Sequence, residues 1–255
     1  MAGHRVFLAF MGVLVFLVMG AMTTARAQVP TTQAVISAAR EALGGEQRLS
    51  AVTSFTATGR TRQLRGNNLV PIEFEINCQL PDKFVRKDEI PAQDSDATVR
   101  GFIGDQLIVY PSTLARTGGP PPQAAAQQRL VTAKQDFARL MLGVFAASFS
   151  PYPLTFKYLA EGEAPEGKAD ILDVAGLANF SARLVVQRDT HLPVMLIWQE
   201  GMEHRLYYAD FRDVSGTKWP FRIRHAVAGQ TIEETTFDRI RINVKIDAKK
   251  FEVPK

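Results

Sequence analysis

Few side chains in this sequence could do chemistry, and they are scattered. The histidines are His4, His191, His204 and His225, and Cys78 is the single cysteine. A protein metal site draws such ligands from short, repeated spacings, and neither H-E-x-x-H nor H-x-H occurs. The nucleophile elbow G-x-S-x-G, the Walker loop and G-x-G-x-x-G are also absent. Glu233 and Glu234 occupy consecutive positions of a strand-like run, so their carboxylates face opposite sides of a sheet and form no acid–base dyad by themselves. Asp210 and Asp213 are expected to straddle a strand end. His191 falls in Asp189-Thr190-His191-Leu192-Pro193, a run with turn chemistry. Trp198, Trp219, Tyr207 and Tyr208 read as strand aromatics, and Cys78 as a small buried hydrophobe. The residues therefore predict a protein with no catalytic side chain, no metal site and no cofactor.

Strands and two helices must position these groups. Ala34, Val35, Ala38, Ala39 and Ala42 repeat with helical period over 31–43, and Gly44 with Gly45 stops the run. A second helix is predicted over 127–147, through Leu130, Val131, Phe137, Leu140, Met141, Val144 and Phe145. Its latter half is apolar nearly all round, which suits a helix enclosed by other structure. Over 73–80, Phe74, Ile76, Cys78 and Leu80 point one way and Glu73, Glu75, Asn77 and Gln79 the other, the alternation of a half-buried antiparallel strand. Residues 97–103 and 107–110 flank Gly104-Asp105-Gln106 as a hairpin.

Further strands are expected at 154–160, 169–174, 181–188, 193–199, 204–211, 219–227 and 231–242, with turn residues such as Ser215-Gly216 between them. Phe221, Ile223 and Val227 share a face with His225, opposite Arg222, Arg224 and Ala226. So long a meander must close into a barrel or curl around something, because a flat sheet leaves long unpaired edges. Residues 111–128 hold four prolines, two glycines and no acid, and are expected to form an extended loop, either a lid or a spacer.

The N-terminus reads as a secretory signal. His4 and Arg5 precede an almost unbroken apolar run from Val6 to Met19, and Ala25-Arg26-Ala27 is an A-x-A site, so cleavage is expected after Ala27. Losing Arg5 and Arg26 takes the formal net charge from +4 to +2, a balance that does not suit nucleic acid. With one cysteine the exported chain has no internal disulfide and must rely on a buried core. Gln28 stands where a bacterial lipoprotein would carry its lipidated cysteine, so the product is expected to be freely soluble.

Three later stretches carry a family resemblance. They are Gln187-Arg188-Asp189-Thr190-His191-Leu192-Pro193, the run from Tyr208-Ala209-Asp210-Phe211-Arg212 through Ser215-Gly216 to Trp219-Pro220, and Lys245-Ile246-Asp247 ahead of Phe251. Together with Leu43-Gly44-Gly45, the strand at 54–59 and Pro81-Asp82-Lys83-Phe84, they resemble the outer-membrane lipoprotein-sorting proteins of the LolA/LolB-like superfamily. The resemblance implies an α+β, mainly β fold, in which an incomplete, half-open antiparallel β-barrel wraps two or more helices around an apolar cavity for acyl chains. Leu80 stands where the carriers commonly have a basic residue before the proline, so their lid latch does not carry over.

The expected protein is a signal peptide, 1–27, followed by one domain, 28–255. Its expected function is periplasmic and non-catalytic: sheltering lipid or lipoprotein acyl chains, with transient membrane contact and a role in trafficking to the outer membrane. Each buried methylene is worth about 0.8 kcal/mol, so an acyl chain needs such shelter from water. The alternative is a sensor of envelope stress or mislocalised lipoproteins, with an envelope protein as partner. Cavity-facing candidates are Phe74, Ile76, Leu140, Met141, Val144, Phe145, Leu184, Val186 and Trp198.

Overall fold

The computed structural model describes residues 29–91, 97–111 and 123–252. The expected signal peptide, its cleavage site and residues 112–122 of the expected loop lie outside them. Helices α1 (Thr32–Ala42) and α2 (Glu46–Ser50) come first. Strands β1 (Ser54–Arg65), β2 (Asn68–Gln79), β3 (Lys83–Glu89), β4 (Thr98–Ile103) and β5 (Gln106–Tyr110) follow, and then the long helix α3 (Gln123–Phe145). Seven strands follow α3: β6 (Leu154–Ala164), β7 (Gly167–Gly176), β8 (Ser181–Gln187), β9 (Pro193–Glu200), β10 (Met202–Val214), β11 (Thr217–Val227) and β12 (Gln230–Ile242).

All twelve strands belong to one antiparallel sheet in the order β5-β4-β3-β2-β1-β12-β11-β10-β9-β8-β7-β6. Two meanders are thus joined where the first strand pairs with the last, Phe55 opposite Ile242 and Gln63 opposite Glu233. The sheet is open, with β5 and β6 as its edges, and α3 is the segment that leads from one edge strand to the other. In space α3 lies against β4 and β5 and also against β9 and β11.

Two aromatic clusters hold α3 in place. Near its middle Phe137 meets Phe84 of β3 and Phe102 of β4 edge-on, with centroids 5.5 and 5.4 Å away. At its end Phe145 meets Trp219 of β11 at 5.5 Å and Phe149 at 5.4 Å. Edge-to-face pairs of this kind contribute about 0.5–1.5 kcal/mol each beyond the area they bury. The main core gathers these rings with Val35 and Ala39 of α1, Phe74 and Ile76 of β2, Leu184 of β8 and Leu196 of β9. Helix α1 starts on Thr31, whose hydroxyl accepts from the Ala34 amide at 3.1 Å.

The opposite face of the sheet is covered at one place by the chain's end. Asp247 Oδ1 accepts from the Lys249 amide at 2.9 Å and starts a 3-10 turn, Ala248–Phe251. That turn lays Phe251 on Val85, Val99 and Ile108, which gives the Ile246-Asp247 and Phe251 motif a packing role.

Several boundaries differ from those expected, for identifiable reasons. Residues 123–128 are the first turns of α3 rather than loop, since Gln123-Ala124-Ala125-Ala126-Gln127 are good helix formers once the prolines have passed. The helix stops at Phe145, with Ala146 in the left-handed region at φ 47°. Strand β1 runs through Gly59 to Arg65: a side chain at Gly59 would overlap the Thr236 carbonyl, so this glycine allows a close approach at a bulge and does not end the strand. Strand β2 begins before Pro71, which pairs with Arg62 on one side only, where β3 has not yet joined. Asp210 does not lie at a strand end; it sits within β10 at φ 55° and pairs with Arg212 at 2.5 Å.

Candidate functional site

Rows of paired residues cross the middle of the sheet on the face that meets α3. In one row Thr61 opposes Thr235, which opposes Ile223, which opposes Tyr208. Two residues further along, Gln63 opposes Glu233, which opposes His225, which opposes Leu206. Between these rows and α3 lies a cavity of about 350 Å³. Ile76, Phe84, Leu140, Leu206, Ile223 and Phe237 supply apolar wall, and Gln63, Arg86, Asp136, Arg139, His225, Glu233 and Thr235 supply polar groups.

The polar groups of the sheet hold one another. Thr61 and Thr235 share a hydroxyl hydrogen bond of 2.8 Å, Gln63 donates to Glu233 at 3.0 Å, and Arg86 donates to Thr61 at 3.1 Å and to Asp88 at 2.7 Å. His204 Nδ1 and His225 Nε2 are 3.0 Å apart, so one proton is shared between two rings that also lie against Trp198, 4.9 and 5.4 Å from its centroid. Burial pulls the His225 imidazole below its ordinary value; Glu233 and Glu200 oppose that pull, and His204 and Arg139 add to it. His225 is accordingly a neutral hydrogen-bonding group at neutral pH.

From α3, Arg139 enters the same space. It is 8% exposed, its Nη1 donates to Asp136 at 2.8 Å, and its Cζ lies 4.6 Å over the Trp198 ring. Tyr208 Oη donates to the Arg139 carbonyl at 2.7 Å, and burial pushes the Tyr208 phenol well above its usual range. The arrangement can accept an apolar chain along one wall and hydrogen-bond a polar group along the other.

The residues expected to face a ligand divide in two. Ile76, Leu140 and Trp198 line the cavity. Phe74 stands beside it, under the Arg86 guanidinium at 4.6 Å and edge-on to Phe237 at 5.3 Å. Met141, Val144, Phe145, Leu184 and Val186 lie in the closed core and are not part of the cavity wall. Arg139, His204, His225, Glu233 and Arg86 were not among the expected site residues. Arg139 had a signal, being the lone charge among the residues 137–147. The histidine pair had one too: Ser215 and Gly216, both at positive φ, form a two-residue turn that sets the β10–β11 register and so brings His225 beside His204.

Other candidate chemistry is quiet. Cys78 is fully buried and burial pushes its thiol up, so it stays protonated. Glu233 lines the cavity while Glu234, on the other face, pairs with Arg222. Among the described residues no group of three His, Cys, Asp or Glu is placed to hold a metal ion, and no helix is long and apolar enough to cross a membrane. A larger hollow, about 450 Å³, lies among Pro165, Leu192, Tyr207, Phe211, Arg222 and Arg224, and no residue of α3 lines it.

No family model matches the chain, and no curated protein matches it in sequence. Solved structures do match. A LolA superfamily protein from Nitrosomonas europaea superposes with a TM-score of 0.57 at 13% identity, over 88% of this chain and 98% of that one. A domain described as an outer membrane lipoprotein-sorting protein, from Vibrio parahaemolyticus, gives 0.54 at 10% identity over 85% and 95%. A DUF1329 family protein from Desulfovibrio piger gives 0.52 at 9% identity over 88% and 98%. A mainly β chain with one open antiparallel sheet, two meanders joined through its first and last strands, and a long helix against both halves thus has the fold seen in the LolA superfamily.

Proposed function

We propose that this protein is a non-catalytic periplasmic carrier that shelters the acyl chain of a lipid or lipoprotein in the cavity between α3 and the sheet. The sheet acts as a half-open barrel curled around α3, and residues 28–255 form one domain released by cleavage after Ala27. The observation that carries this reading is the cavity of about 350 Å³ with Ile76, Phe84, Leu140, Leu206, Ile223 and Phe237 on its walls. Its size falls at the lower end of the range of about 300–1,000 Å³ of small-molecule sites, and apolar walls with a few convergent polar groups are what such sites share. The fold likeness to a domain described as lipoprotein-sorting supports the same reading.

A carrier must take its cargo from one membrane and give it up at another, so it contacts membranes transiently. Cys78, the one cysteine of the sequence, is buried with its thiol protonated and serves packing rather than covalent chemistry. Native mass spectrometry of protein purified from the envelope fraction tests the proposal. The expected spectrum shows the chain starting at Gln28 with an added mass in the range of a lipid or an acylated peptide. A chain that retains residues 1–27, or that is consistently empty and binds no acyl probe, would contradict it.

A further inference from the structure

The cavity is not uniformly apolar, and the odd group in it is Arg139. The residue is 8% exposed, and its Nε is the one buried side-chain nitrogen or oxygen among the described residues that has no hydrogen-bond partner. A buried donor left unpaired weakens a fold, so such a group calls for a partner that arrives from outside. The rest of the guanidinium is engaged unevenly. Nη1 donates to Asp136 at 2.8 Å and Nη2 lies 3.8 Å from Glu200, and both carboxylates are more than half exposed. Glu200, solvated and beyond hydrogen-bond reach, holds Nη2 weakly and can yield to a closer anion, while Nη1 stays with Asp136.

The Trp198 and Phe180 rings lie against the guanidinium, their centroids 4.6 and 5.5 Å from its Cζ, and help hold it in place. A planar, fixed guanidinium offers a fork of donors that matches a carboxylate or a phosphate. Beside it His225 is neutral and half-buried, able to add a hydrogen bond without adding charge. The apolar wall then begins at Leu140, the next residue of α3, and at Leu206, opposite His225.

Resting on the carrier reading above, we propose that the cavity is built for an anionic amphiphile, with Arg139 binding the carboxylate or phosphate of its head group while the acyl chain lies along Leu140, Leu206 and Ile223. The ligand class is therefore narrower than lipid in general: one acyl chain with a compact anionic head.

Four probes read by calorimetric titration of the whole protein test this: dodecanoate, methyl dodecanoate, dodecyl phosphate and inorganic phosphate. Dodecanoate and dodecyl phosphate are expected to bind at least tenfold more tightly than the methyl ester, the size expected for one charge-assisted hydrogen-bonded pair. Inorganic phosphate, lacking the chain, is expected to bind at least a hundredfold more weakly than dodecyl phosphate. Arg139→Gln should bring dodecanoate down to within about threefold of the ester's wild-type affinity, and Arg139→Lys should keep part of the preference. Equal affinity for acid and ester in the unaltered protein would overturn the head-group inference and leave the carrier reading standing, whether or not the Arg139 variants fold. Inorganic phosphate binding as tightly as dodecyl phosphate would make this a free-anion site and overturn the inference. No binding by either chain-bearing anion or by the ester would overturn the carrier reading as well.

Discussion

Gly143 of α3 rests directly on the ring of Tyr208 of β10, so that a methyl group in place of its hydrogen would overlap the ring. Tyr208 is itself fixed, since its hydroxyl donates to the Arg139 carbonyl one turn earlier on the same helix. This contact sets how near α3 lies to the sheet, and hence the width of the cavity that Tyr208 borders.

Gly143→Ala should consequently destabilise the protein, although the same change in an exposed helix would stabilise it by about 1 kcal/mol. Overpacking at a fixed ring costs about 1–3 kcal/mol, and urea denaturation should show a loss of that order. A gain in stability would mean that the helix stands further from Tyr208 than this structure places it.

The His204–His225 pair should make the protein acid-sensitive. The folded His225 binds its proton less readily than the unfolded chain does, because burial lowers its affinity. The unfolded state therefore takes up more protons, and stability falls as pH drops below the unfolded histidine value of about 6.5, levelling off below the lower folded value. Melting temperatures from pH 7.5 to 5 should decline for the wild type and decline less for His225→Gln. Parallel curves for the two proteins would contradict the assignment of the acid sensitivity to His225.

Two residues one turn apart on one helix should answer differently to the same change. Val144 is 2% exposed in the closed core, and Leu140 borders the cavity. A carboxylate at Val144 has no partner within reach of solvent, and Val144→Glu should cost about 3 kcal/mol or more and abolish a cooperative melt near physiological temperature. Leu140→Glu should leave a cooperative melt and weaken the binding of an acyl probe. Equal loss of stability in both would show that the cavity wall is as dry as the core.

Much of this architecture was legible because periodicity reports burial. The alternation of Phe74, Ile76 and Cys78, and the all-round apolar character of 137–147, follow from a sheet face and a helix that share one core. Strand β3 and the outer halves of β1 and β2 were not legible. Gly59 and Pro71 read locally as punctuation, whereas tertiary contacts at Thr236 and one-sided pairing at Arg62 tolerate them within strands. The site was less legible still. Alternation assigned His225 to the inner face with Ile223, but only the β10–β11 register brings it to His204, 21 residues away in sequence. Arg139 is three residues from Asp136 and far in sequence from Trp198, so its burial depends on β9 meeting α3.

The most direct measurement is the saturable binding of a fluorescent acyl probe to the wild type and to Ala133→Trp. Ala133 lines the cavity from α3, so a tryptophan there occupies the space the chain would fill. Wild-type protein is expected to bind one probe per chain, and Ala133→Trp, with its cooperative melt retained, to bind at least tenfold more weakly. Undiminished binding by Ala133→Trp, or no saturable binding by the wild type, would contradict the assignment of this cavity as the lipid site.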